Sequence, residues 1–270
     1  MEKINMNYKR LSNLLNVCSV DELGSFDILL TQVKKYDLSL INRLFKMLVN
    51  KKSDSFKSEF EGMRDFDLIT RLKNFKITNI TNYAINPYEL IFLKKLMVDA
   101  VTNINKDKNP LYLDILPNIE EAIERINTYL GSLPDVGYLN DEELEKMFNK
   151  FKASEIEKFD DIFESIEMYN IENMMNIADK VYNEKRRGST KLADVIELSN
   201  KNNTLNKKEL YLLRDIVTEA ARGLMNNEEE YDIHQYKKLD SSLWNLRETY
   251  VEELDKRNRK KYTKTLKPKK

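Results

Sequence analysis

One histidine, one cysteine and a scatter of carboxylates are what this chain of 270 residues offers for chemistry. A nucleophile–His–acid constellation would have to be built on His234, and no motif surrounds either it or Cys18. Zinc sites with two or more histidines are excluded within one chain, as are disulfides and multi-cysteine metal sites. The Glu-x-x-His pairs of di-iron bundles are absent, since Tyr231 lies three residues before His234. His234 therefore reads as a helix-surface residue, and Cys18 as a small buried one in a reducing, intracellular setting.

Asp160, Glu164 and Glu167 follow at four- and three-residue spacing, so a continuous helix would line them along one face. Such a row could hold Mg²⁺, because hard cations take oxygen ligands. No Gly-rich phosphate loop accompanies it, so a solvated acidic face is the simpler reading, and no catalytic, cofactor-binding or metal residue is assigned. KRRGSTK, residues 185–191, is the one internal basic loop. Gly188 suits a helix stop, and Arg186 and Arg187 complement the negative end of the preceding helix. Exposed, the same two arginines would be anion contacts.

The strongest signals are for binding. Residues 256–270, KRNRKKYTKTLKPKK, carry nine Lys or Arg and no acid, among them Lys256, Arg257, Arg259, Lys260, Lys261, Lys264 and Lys267. Such a tail can neutralise phosphates with steep salt dependence. Only Tyr262 interleaves it, which argues against a base-stacking platform within the tail, and no nucleic-acid-binding signature is present. It reads as a flexible contact arm. Just before it, Tyr236, Leu239, Leu243, Leu246 and Tyr250 step by three and four residues, a heptad seam that predicts burial against this chain or another. Trp244 beside the seam is a candidate interface anchor.

What positions these residues must be helix. Six Gly and five Pro in 270 residues encode few turns. Capping pairs recur at Ser19/Glu22, Asn86/Glu89, Asn140/Glu143 and Asn206/Glu209. Apolar stripes follow, as in Leu90, Leu93, Met97, Val101 and Ile104, or Leu210, Leu213, Val217, Ala220 and Leu224. Others are Ile41, Leu44, Phe45 and Leu48; Phe56, Phe60 and Met63; and Ile119, Ala122, Ile123 and Ile126. No Gly or Pro interrupts the stretch between Gly137 and Gly188, which predicts two long helices there. Only KITNITNYAI, residues 76–85, alternates in the manner of a strand. The fold expected is all-α, a multi-helix bundle or bundles with long helices and at most a minor β-ribbon near 76–85.

The charge is unevenly spread. Residues 1–108 carry 18 basic and 13 acidic groups (+5), residues 109–255 carry 18 and 32 (−14), and residues 256–270 add +9, which sums to zero. Pro and Gly concentrate in residues 105–137, either a domain seam or a loop between bundle halves. The division expected is a mildly basic helical region 1–108, an acidic helical region 109–255 and a flexible basic tail 256–270. No stretch approaches the roughly 20 apolar residues of a membrane span, and no signal peptide is expected. The reading is a cytoplasmic or intracellular helical protein that works by binding, as an adaptor, structural or inhibitory component, with a protein partner or its own copies. The Asn- and Lys-rich composition suits a viral or phage component, virion-associated included. The alternative is a nucleic-acid-binding or replication-accessory protein acting through the tail.

Overall fold

The structure is a computed structural model that describes residues 2–3, 12, 15–16, 18–44, 68–77, 86–187, 205–228 and 231–265. It is an all-α multi-helix fold. The chain forms two compact units, residues 1–132 and 133–270. The division between them, Ser132–Leu133, lies within the Pro- and Gly-rich stretch 105–137. Lys108 ends a helix in the left-handed conformation (φ 48°), with its N–H on the Ile104 carbonyl. The Pro-rich stretch after it starts two more helices of the same unit, because Pro110 and Pro117 sit in first turns, where a missing N–H costs nothing.

In the first unit, α1 (Val20–Thr31) starts on the predicted capping box: Glu22 N–H donates to Ser19 Oγ, and Ser19 N–H to Glu22 Oε2. α1 packs on α2 (Leu68–Lys73) and on α3 (Pro87–Asp107). Asn86 caps α3 by accepting from the Tyr88 N–H. Leu90, Leu93, Met97 and Ile104 of its stripe are buried, with Val101 at the rim. α4 (Pro110–Leu113) leads to α5 (Leu116–Ser132), which lays Ile119, Ala122 and Ile126 into the core against α3. Asp99 accepts from the Lys34 and Lys35 N–H groups at 2.7 and 2.8 Å, which ties the end of α1 to α3. Two-residue strands β1 (Glu2–Lys3) and β2 (Tyr36–Asp37) pair in parallel, so the described ribbon lies here. Residues 75–77 are not strand, and 78–85 lie outside the described residues. Ile41 and Leu44 are buried, while Phe45, Leu48, Phe56, Phe60 and Met63 lie outside the described residues.

In the second unit the expected pair of long helices is four shorter ones: α6 (Asp141–Phe148), α7 (Ala153–Ile156), α8 (Phe159–Glu164) and α9 (Glu172–Arg187). The physical reason is a phenylalanine cluster. On one straight helix Phe148 and Phe159 would stand about 16 Å apart along the axis. The turns between α6 and α8 bring their rings to 5.3 Å, edge to face, with Phe151 at 5.3 Å and Phe163 at 5.9 Å from Phe159. All four are fully buried. Compact aromatic contact wins over helix continuity.

α10 (Lys207–Asn226) and α11 (Ile233–Thr265) complete this unit as an antiparallel pair. α10 starts on the Asn206/Glu209 capping box. Glu209 is buried and takes both its oxygens to Lys150 Nζ at 2.7 and 2.6 Å. Leu210, Leu213, Val217, Ala220 and Leu224 are all buried, as their spacing predicts. Gly223 lets α10 touch the end of α8: a Cβ there would stand 1.8 Å from the Ser165 carbonyl oxygen.

Candidate functional site

α11 carries most of the residues singled out for binding. Asp232 begins it, with Oδ1 accepting from the His234 and Gln235 N–H groups at 2.9 and 3.0 Å. His234 itself is exposed in the first turn. Of the predicted seam, Leu243 (3% exposed) and Tyr250 (1%) are buried, whereas Tyr236, Leu239 and Leu246 are only half-buried. Leu254, outside the seam, is buried at 3%. The covered line runs 243, 250, 254, which departs from a strict seven-residue repeat by one step. A straight helix of 3.6 residues per turn drifts about 20° per heptad, so a seam tracked at 3.5 rotates out of the contact with α10. Burial raises the Tyr250 phenol well above its ordinary range, and the Glu155 carboxylate raises it further. Trp244 is half-buried, with the Arg247 guanidinium 5.5 Å from its ring.

The basic segment begins as helix, not as a separate tail. α11 continues to Thr265 without a break at 255/256. Arg257 Nε donates to Glu253 at 2.7 Å and its Nη1 to the Leu205 carbonyl at 2.6 Å. Lys256 lies 3.8 Å from Glu253. Lys207, the first residue of α10, donates to Asn258 Oδ1 at 2.8 Å. The described contacts thus register residues 257–258 of α11 with the start of α10. Residues 259–265 run on past that point, about 10 Å of helix at 1.5 Å per residue. Arg259 is exposed. Of Lys260, Lys261 and Lys264 the backbone alone is described, as helix, and Lys267 lies outside the described residues.

Sequence reasoning missed what the fold places beside this segment. Lys207 Nζ sits 5.6 Å from the centre of the Tyr211 ring, and the Arg214 guanidinium 5.0 Å from it. Tyr138, from the segment before α6, stacks on Tyr211 with ring centres 6.4 Å apart and planes 23° from parallel. The Asp215 carboxylate raises the Tyr138 phenol above its ordinary range, and Asp215 pairs with Arg214 at 2.6 Å. Lys208 pairs with Glu143 at 3.1 Å. Tyr211 and Arg214 could be assigned from α10's period to the face opposite its apolar stripe, but nothing local links Tyr138 to them.

The other candidates separate from this place. Arg186 and Arg187 end α9, and their side chains are outside the described residues. Their neighbour Lys185 has a structural task, donating to the Asn149 carbonyl at 2.7 Å and to that of Phe151, after the end of α6. Asp160, Glu164 and Glu167 do not form one helical row, since α8 stops at Glu164. Glu167 instead accepts from the side-chain amides of Asn226 and Asn227. Cys18 is buried. Among the described residues no helix is long and apolar enough to cross a membrane. No family model, curated protein or solved structure matches the chain.

Proposed function

We propose that the protein works by binding, without catalysis of its own, as an intracellular helical assembly or adaptor module. α11 is its contact element, and its partner is a negatively charged macromolecule. One observation carries this reading. α11 passes the start of α10 as continuous helix and enters the segment of nine cations there. The bonds of Arg257 and Lys207 hold its root in place. A cationic segment with a fixed root and a charged extension attracts anionic surfaces over the screening length. The first half of α11 supports a protein partner or a second copy as well, because Tyr236, Leu239 and Leu246 leave apolar surface half-covered and Ile233 is exposed. The composition suits a viral or phage component.

The test is removal of residues 259–270, a cut that spares Arg257 and Asn258 and so keeps the root. Binding of polyglutamate and of a single-stranded oligonucleotide is measured against salt, for full-length and truncated protein. The parent binds at least one of them, and loses it as salt shortens the Debye length from about 10 Å at 0.1 M to about 3 Å at 1 M. The truncated protein melts as the parent does and has lost that binding. Absence of polyanion binding by the parent would refute the reading, as would unfolding on truncation.

A further inference from the structure

Resting on that reading, we infer that the partner is single-stranded nucleic acid, with the Tyr138–Tyr211 pair as the platform on which its bases stack. Sequence-tolerant binding of a single strand requires cations along the backbone track and aromatic faces for the bases. The basic segment alone lacks the second part, with Tyr262 its only aromatic residue. The fold supplies it. Lys207 joins the two halves, its ammonium 2.8 Å from Asn258 on α11 and 5.6 Å from the Tyr211 ring centre. Both of these contacts are with neutral groups, so they leave the Lys207 charge uncompensated.

The pair is held as a platform should be. The Tyr211 ring has the Tyr138 ring centre 6.4 Å from its own centre and the Lys207 and Arg214 cations 5.6 and 5.0 Å from it. Tyr138 stacks on Tyr211 and still keeps 42% of its surface exposed, so ring area remains for a base. Two carboxylates here are matched: Asp215 by Arg214 and Glu143 by Lys208. Repulsion of a phosphate chain is correspondingly reduced. A duplex hides its base faces and cannot use the rings, which is why the inference is confined to single strands.

The experiment measures fluorescence anisotropy of labelled oligo(dT) of about 16 nucleotides with the full chain, alongside a duplex, an abasic oligomer of equal length and polyglutamate. The parent binds oligo(dT) more tightly than the duplex, and more tightly than the abasic oligomer by roughly 5- to 100-fold. Tyr138→Ala and Tyr211→Ala weaken oligo(dT) by a similar factor and leave the abasic oligomer unaffected. Tyr138→Phe, which keeps the ring, stays within about 2-fold of the parent. Lys207→Gln lowers the slope of log affinity on log salt by about 0.7 for a lost phosphate contact. The abasic comparison needs no variant, so it tests stacking even where an alanine substitution disturbs folding, and folded Tyr138→Ala and Tyr211→Ala proteins that bind oligo(dT) as the parent does overturn its assignment to this pair. Equal affinity for oligo(dT) and the abasic oligomer overturns the stacking inference, as does a preference for duplex. In both cases the anion-binding reading stands. Binding of polyglutamate but of no oligonucleotide assigns the surface to an acidic protein and also overturns the inference. Binding of none of the probes removes the inference and the reading together.

Discussion

Gly223→Ala is the sharpest perturbation of the unit that carries the basic helix. The added Cβ would meet the Ser165 carbonyl oxygen at 1.8 Å, the Ser165 carbonyl carbon at 3.0 Å and Glu167 Cγ at 3.4 Å. The nearest of these is backbone, so no rotamer change relieves it, and the segment after α8 must part from α10 by roughly 1.5 Å to reach ordinary contact. Two effects oppose each other. Alanine gains about 1 kcal/mol over glycine inside a helix. Overpacking a close contact costs about 1–3 kcal/mol, more where backbone must move. Because backbone must move here, the contact costs about 2–4 kcal/mol, and less the alanine gain of about 1 kcal/mol a net loss of about 1–3 kcal/mol is expected. For a unit of this size that lowers the melting temperature by roughly 4–10 °C, read by far-UV circular dichroism during heating. Gly131→Ala is the control, because nothing lies within 4 Å of its Cβ position in α5. It should leave stability unchanged or raise it by up to about 1 kcal/mol. A Gly223→Ala protein as stable as its parent would refute the backbone contact between α10 and the end of α8.

The α11 face makes a paired prediction: Leu243→Ala costs about 2–5 kcal/mol and Leu239→Ala about 1 kcal/mol or less, in denaturant unfolding. Comparable losses at the two positions would show that the strict heptad seam, not the drifted line, is covered. Lys150→Met leaves the buried Glu209 carboxylate without its cation and should destabilise by about 3–5 kcal/mol. A loss below about 0.5 kcal/mol would refute that pairing. Glu219 is raised above the ordinary carboxylate range, first by burial and then by Glu167, against the lowering effects of Arg222 and the Met168 backbone. A raised folded-state value means the folded protein holds this proton more firmly than the unfolded chain. The penalty is therefore fully present above the folded value and vanishes as pH falls below the unfolded one. Glu219→Gln should melt higher than the parent near neutral pH, with the gap closing below about pH 4; a gap constant with pH would sink this account.

What the sequence by itself determined is the part governed by near neighbours. Ser19/Glu22, Asn140/Glu143 and Asn206/Glu209 cap helices where their spacing says, because a capping box closes within four residues. The stripe of α10 is buried at each predicted position, because one face of one helix meets one core. Asn86 caps α3 as expected through the Tyr88 N–H, which is again a contact two residues away.

Tertiary structure decided the rest. The absence of Gly and Pro between 137 and 188 permits long helices but does not require them, and burial of four phenylalanines around one another broke the segment into short ones. The seam on α11 was legible as a seam. Which of its residues are covered depended on how its face drifts against α10, so Leu254 is buried where Leu246 is only half-buried. The nine cations at the end are plain in the sequence, yet the root that registers Arg257 and Asn258 with the start of α10 exists only because Leu205 and Asn258 accept bonds across the fold. Tyr138 reaches Tyr211 only because the segment before α6 and the helix α10 belong to one unit, and no local spacing encodes a contact between residues so far apart. Short-range hydrogen bonds and helical period are written along the chain, whereas a surface assembled from three segments exists only once the core has brought them together.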